Sequence, residues 1–289
     1  MPKALIIGGN GMLGHKALRV FSTSFEVAGT VREDATAHRA DRPLAAFRLF
    51  GNVTAEAVSS IEAAILSFAP DVVLNCIAMR AATITMTNMR AAQKINGELP
   101  HEIARICARS GCKFFQISTD AVFSGNAGGY RESDKPDPVD FYGETKLSGE
   151  VDAPGALTVR TSIFGRQLIG KDGLIEWLMS EKGNSIDGFR KVLFSGLPTV
   201  TLCELVRDIA AAHADLHGVL HIGAPAISKY ALLQKLNQAM GLGISVRPVD
   251  TPVVDRSLNC DLFKRVTGRK IPDWPELINA FVADENSYL

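Results

Sequence analysis

The stretch Ala4-Leu5-Ile6-Ile7-Gly8-Gly9-Asn10-Gly11-Met12-Leu13-Gly14 constrains this chain more than any other. An apolar run that breaks into spaced glycines and then resumes with helical spacing fits few folds. Residues 4–7 have the length and side chains of a buried strand, and 12–21 repeat apolar residues at helical intervals. Strand, glycine turn and helix in that order open a parallel α/β unit and leave a helix N-terminus facing the turn. Glycine at 8 permits a tight turn, at 11 lets backbone approach a pyrophosphate, and at 14 lets helix and strand pack closely. The spacing is GxxGxxG rather than GxGxxG, and dinucleotide contacts are expected at Gly8, Asn10, Gly11, Met12, Leu13 and Gly14.

The first half of the chain continues this alternation. Short apolar runs at 26–31, 47–50, 71–76, 113–117 and 156–160 are separated by amphipathic stretches at 56–68, 88–110 and 141–151. They predict an α/β fold, a Rossmann-type doubly wound parallel sheet of six strands covered by helices on both faces. Beyond Arg160 the pattern is irregular: 165–192 reads as loop, helix and loop, 201–213 and 228–240 as helices, and 218–223 as a short strand. Residues 250–289 are rich in turns, with two short helices. The expected division is a nucleotide domain over 1–163 with a returning segment near 195–225, and a smaller α/β substrate domain from 164–194 and 226–289.

Charge and cysteine usage narrow the partners. Lys+Arg and Asp+Glu each number 31, so no net field draws the chain to nucleic acid or an anionic membrane. The 5 cysteines form no CxxC pair, which argues against a disulfide framework and a zinc site. No signal-peptide pattern or membrane-length apolar run is visible, so a cytoplasmic location is expected. His213, His217 and His221 stand four apart, but Gly218 interrupts any shared helical face, and no metal is expected.

The end of the second run bears on the cofactor. Gly29-Thr30-Val31-Arg32 carries no acid before Glu33. A free ribose 2′-hydroxyl usually meets a carboxylate there, whereas a guanidinium suits a 2′-phosphate. NADPH is therefore expected in preference to NADH, with Arg32 at its phosphate and Asn52 and Val53, after the third run, among its contacts.

Two later segments carry chemistry. Ser118-Thr119-Asp120 follows the fifth run, and Tyr142-Gly143-Glu144-Thr145-Lys146 opens the next helix. Residues four apart share a helix face, so the Lys146 ammonium can favour the phenolate form of Tyr142. Ligands of doubly wound sheets bind at the carboxyl ends of the strands, which puts both segments beside a nicotinamide. Hydride arriving at a carbonyl carbon leaves negative charge on oxygen, and a hydroxyl and a phenol aimed at that oxygen stabilise it. The Tyr/Lys spacing alone means little; the glycine loop and Thr119 give it weight.

With Asp71-Val72-Val73-Leu74-Asn75-Cys76, the stretch 142–150 and Arg160-Thr161-Ser162, these motifs resemble the extended short-chain dehydrogenases/reductases, and within them the dTDP-4-dehydrorhamnose reductase family, along essentially the whole chain. The resemblance implies NADPH-dependent reduction of the C4 ketone of a nucleotide-linked 4-keto-6-deoxyhexose, in the making of cell-surface polysaccharide precursors. It assigns the ketone-binding hydroxyl to Thr119 and the proton donor to Tyr142. Lys146 becomes the lysine that holds the nicotinamide ribose and lowers the tyrosine pKa, and Asn96 the helix asparagine that supports it. Cys76, Ile77 and Ala78 are expected along the cofactor, and Arg256 at the substrate diphosphate.

Departures from the family pattern concern the substrate. Ala121 stands where many relatives have a tyrosine, so the contact expected there falls to a methyl group or is made elsewhere. Residues 79–86 lack the acidic stretch common in rhamnose reductases. Gly11-Met12-Leu13-Gly14-His15, Asn75-Cys76-Ile77 and Ser228-Lys229-Tyr230 look more like the branch acting on UDP-linked N-acetylated 6-deoxy sugars. Two other readings use the same scaffold. A nucleotide-sugar epimerase or dehydratase is one, although dehydratases of this type place a glutamate at the position of Ala121. A non-catalytic binding subunit is the other, and the intact Thr119, Tyr142 and Lys146 set argues against it. A homodimer is left open.

Overall fold

The computed structural model describes residues 1–38, 43–170, 173–213 and 215–286. The six predicted runs become β1 (Lys3–Ile7), β2 (Glu26–Thr30), β3 (Arg48–Phe50), β4 (Val72–Asn75), β5 (Lys113–Ile117) and β6 (Ala156–Arg160). They pair in parallel in the spatial order 3-2-1-4-5-6, and a seventh strand, Gly218–His221, extends the sheet beyond β6 with Gly218 opposite Leu157. The order reverses between β1 and β4, and a crevice opens there outside the carboxyl ends of the strands. This is a Rossmann-type doubly wound sheet.

The strands are apolar throughout because both faces are covered. Along β1, Ala4 and Ile6 enter one core with Leu18 and Phe21, while Leu5 and Ile7 enter the other with Ile61 and Ile103. The first core runs on without a break to Phe164, Phe263 and Phe281, so the later part of the chain shares it.

Two predicted elements differ. The stretch 88–110 is three pieces: Met89–Ala92, a π-helical turn Gln93–Glu98, and Leu99–Ser110, which ends at Gly111 with φ +71°. The π turn carries Asn96, whose amide accepts from Met79 N at 2.8 Å and donates to Met79 O at 2.9 Å. Such turns recur at functional sites because the extra residue re-aims a side chain. The second supposed loop of 165–192 contains the strand Ser185–Phe189, which pairs in parallel with Ser245–Val249. Its partner lies sixty residues away, and its alternation of buried Ile186 and Gly188 is too short to read alone.

The helix Trp274–Asn286 packs on Thr199–Ala212, which rests on Gly14–Phe21. The fully buried Lys16 and its neighbour Arg19 both pair with Asp284, fastening the last helix to the first. Among the described residues no helix is long and apolar enough to cross a membrane.

Candidate active site

The glycine loop is held by backbone. Gly8 has φ +82°, and its amide donates to Thr30 Oγ1 at 3.1 Å, while Gly9 N donates to Thr30 O at 2.7 Å. A Cβ at position 14 would lie 2.0 Å from the Gly8 carbonyl oxygen, so only glycine lets the helix start this close to the strand. That helix takes no side-chain cap at Leu13, and its first amides face the crevice without a protein acceptor supplied by a cap.

A cavity of about 600 Å³ lies above the sheet at this point. Gly11, Met12 and Leu13 form one end of its wall with Cys76, Ile77 and Ala78; Thr119, Ala121, Tyr142 and Lys146 line the middle; Arg256 and Gln167 close it from the second half of the chain. Gly8 and Gly14 shape the loop from beneath. At the other end of the loop the Asn10 amide donates to Glu33 Oε2 at 3.1 Å, beside the exposed Arg32. Asn52, in left-handed backbone at φ 57°, donates its N–H to Glu33 O, and Val53 donates to Val31 O. These two therefore border the same end.

Tyr142 reaches Thr119 because of its neighbour. The helix Phe141–Ser148 is capped by Asp140, whose Oδ1 accepts from Gly143 N at 2.7 Å. A Cβ on Gly143 would lie 2.3 Å from Ala121 O, so glycine inside the first turn lets the helix press against the Thr119 segment. Thr119 Oγ1 accepts from Ala121 N at 3.1 Å and donates to Asp120 Oδ1 at 3.2 Å. It lines the same cavity wall as Tyr142.

The electrostatics differ from the expectation in one respect. Burial pushes the Tyr142 phenol up to about 12, and the nearby Thr119 hydroxyl offsets this in part; Asp120 and Asp140 raise it and Arg80 lowers it. Lys146 lies on the same helix face, but its Nζ donates to Ile117 O at 2.6 Å, at the nearest strand end. Burial brings this lysine down to about 8, against the pull of Glu150. The cation that lowers the phenol is thus Arg80, which lines the same cavity. Asn96, besides clamping Met79, donates to Thr145 Oγ1 at 3.1 Å and so steadies the helix that carries Lys146.

Beneath the site, Ser118 Oγ donates to Glu150 Oε1 at 2.7 Å, and Arg160 grips both oxygens of Glu150 at 2.8 and 2.7 Å. The buried His221 ring sits 3.3 Å from Arg160 and accordingly has its pKa lowered to about 4, first by burial and then by that guanidinium. No group of three or more metal-ligating side chains occurs among the described residues.

Residues 2–286 match the family described as RmlD substrate binding domain. The chain belongs to that family.

Its relatives span more than one role. This RmlD family chain is 27% identical over 267 residues to methionine adenosyltransferase 2 subunit beta of Bos taurus, covering 87% of this chain and 77% of that protein. Its fold matches dTDP-4-dehydrorhamnose reductase of Bacillus anthracis in complex with NADP, with a TM-score of 0.79 and 20% identity over 98% of this chain and 99% of that one. It matches UDP-glucose 4-epimerase of Thermotoga maritima with UDP-glucose equally well, at 0.79 and 16% identity over 99% of each. At these identities the structural likeness establishes the fold alone.

Sequence reasoning passed over four residues of the site. Gly143 was legible as an unusual glycine in a helix, which costs about 1 kcal/mol relative to alanine unless contact requires it. Asp120 adjoins Thr119 and was visible as part of its motif. Arg80 and Glu33 carried no pattern of their own; only the fold brings them to Tyr142 and to Asn10.

Proposed function

We propose that this chain is an NAD(P)H-dependent oxidoreductase that reduces the C4 ketone of a nucleotide-linked 4-keto-6-deoxyhexose. The observation that carries the reading is the placement of the Thr119 hydroxyl and the Tyr142 phenol on one cavity whose wall includes the glycine loop. The uncapped helix start at Leu13 fits a pyrophosphate, and Lys146 fits the nicotinamide ribose. The nicotinamide, when bound, supplies the hydride. Thr119 and Tyr142 then orient the ketone, and the phenol proton moves from Tyr142 to the ketone oxygen as charge grows there.

Residues 1–163 with 195–225 hold the cofactor in this reading, and 164–194 with 226–289 hold the sugar nucleotide. Arg256 faces the cavity with a buried Nε that has no hydrogen-bond partner among the described residues, as a site for a diphosphate requires. Arg32 favours NADPH over NADH. A place in polysaccharide precursor synthesis in the cytoplasm follows from the substrate class.

The test offers NADPH and NADH with UDP- and dTDP-linked 4-keto-6-deoxy sugars and follows cofactor oxidation, then product configuration. Oxidation that requires both the sugar and Tyr142 supports the reading. A second reading, a non-catalytic binding subunit, draws on the likeness to a methionine adenosyltransferase beta subunit. Binding of NADPH without reduction of any sugar offered, together with co-purification of another enzyme, would favour it.

A further inference from the structure

The Thr119 hydroxyl has a single proton, and that proton already has a partner. Thr119 Oγ1 accepts from Ala121 N at 3.1 Å and donates to Asp120 Oδ1 at 3.2 Å. Reduction as proposed above needs the same hydroxyl to donate to the ketone oxygen, so Thr119 has to release Asp120 when the substrate binds. A donor on the substrate must then replace it, because a carboxylate in a protein wall is costly without one.

We propose that Asp120 is a specificity residue: it accepts a hydrogen bond from a hydroxyl or amide N–H on the ring carbon next to the ketone, and this exchange frees the Thr119 proton for the ketone oxygen. The inference rests on the reductase reading and narrows its substrates to ketosugars with a hydrogen-bond donor beside the ketone. Asp120 lines the cavity next to Thr119, and its backbone is fixed on both sides: its N–H donates to Thr161 O at 3.2 Å, and its C=O accepts from Phe123 N at 3.1 Å. The Thr119 bond is the one hydrogen bond that this side chain receives from another described residue, and no ion pair to it is formed among them. Oδ2 is therefore left for a ligand.

Its neighbours on the cavity do not offer the same acceptor. Ala121 presents a methyl group, Asp140 Oδ1 holds the Gly143 amide at the helix start, and the Asn75 side chain is engaged by Gln116 and by Ile77 N. The second half of the chain supports the charge of Asp120. Burial raises its pKa, and Lys229 and Arg256 pull it back toward the carboxylate. Lys229 opens the helix Lys229–Met240 and rests its Nζ 3.5 Å from the centre of the Phe194 ring, and Arg256 lines the same cavity as Asp120. As a carboxylate Asp120 accepts and does not donate, so the partner it takes from the sugar must be a donor.

The experiment compares wild type with Asp120→Ala on two substrates: the UDP- or dTDP-linked 4-keto-6-deoxy sugar that wild type reduces, and its analogue with hydrogen in place of the hydroxyl beside the ketone. Wild type should favour the hydroxylated sugar in kcat/KM by about 10–100-fold, the span of one hydrogen bond to a charged group, and kcat should fall on the deoxy sugar because Thr119 stays turned to Asp120. A methyl ether at that carbon, which accepts and does not donate, should fare no better than the deoxy sugar. Asp120→Ala removes both the acceptor and the competitor for the Thr119 proton. The preference should shrink to less than about threefold, and the variant should reduce the deoxy sugar at least as fast as wild type does. Equal slowing of both sugars with the preference kept, as a scaffolding role predicts, or no preference in wild type, would overturn the inference. If Asp120→Ala fails to bind NADPH, Asp120→Asn keeps the shape with a neutral, weaker acceptor, and the preference should drop at least about threefold. An unchanged preference there overturns it equally. If wild type reduces none of the sugars, the reductase reading fails and this inference with it; reduction without preference defeats the inference alone.

Discussion

The two walls of the cavity are built differently. The wall proposed for the cofactor is made by close backbone approach: Gly14 against the Gly8 carbonyl and Gly143 against the Ala121 carbonyl, each at a distance no side chain tolerates. The wall proposed for the substrate is made by charged side chains from separate segments, with Arg256 facing the cavity and Lys229 over the Phe194 ring. Backbone contact leaves a mark in the sequence, a glycine at a fixed place. Charges that converge from distant segments leave none, and this is why the glycine-built wall was legible in the sequence and the charged one was not.

The sharpest test of this contrast is at the meeting of the walls. Tyr142→Phe should lower kcat by about 10²–10⁴-fold with NADPH affinity unchanged, measured by steady-state rate and fluorescence titration. Loss of affinity in step with rate would place Tyr142 in the cofactor wall alone. Next in size, Gly143→Ala should cost about 1–3 kcal/mol of stability by thermal or denaturant unfolding, because its Cβ would sit 2.3 Å from Ala121 O. Activity should fall with it as the helix backs away from Thr119.

On the other wall, Arg256→Ala should raise KM for the nucleotide sugar by about 10–100-fold, the loss of one charge-assisted contact worth about 1.5–3 kcal/mol, and leave NADPH affinity and unfolding midpoint in place. A drop in stability instead would make Arg256 part of the scaffold. Smaller still is the effect of pH on the cofactor wall. Burial brings Lys146 down to about 8, so its ammonium is present below that pH and lost above it. NADPH affinity should weaken severalfold as pH rises through about 8, and Lys146→Met should remove the dependence.

Much of the cofactor side was legible in sequence because its information is local. A strand, a spaced-glycine turn and a helix follow one another without a gap, and Thr119, Tyr142 and Lys146 stand at the start of segments whose type was plain. The π turn at Gln93–Glu98 was not legible, since it depends on Asn96 meeting the backbone of Met79 from another element. Nor was the strand Ser185–Phe189, which exists through its pairing with Ser245–Val249. The Tyr/Lys spacing placed both residues on one face, yet the lysine reaches Ile117 O and the guanidinium of Arg80 acts on the phenol instead. Helix periodicity specifies a face, whereas the far end of a long side chain goes to whatever the fold sets in reach.

The amino-acid sequence by itself determined the parallel α/β scaffold, the helix that opens at the spaced glycines and the segments that carry Thr119 and Tyr142, because each depends on residues a few places apart and on backbone geometry that few residue types permit. Only the tertiary structure decided that Gly143 is there to admit the Ala121 carbonyl and that Glu33 turns back to Asn10. It alone brought Lys229 and Arg256 to act on Asp120. Those arrangements depend on segments a hundred residues apart sharing one core, and the energy of a contact is set by distance in space rather than by distance along the chain.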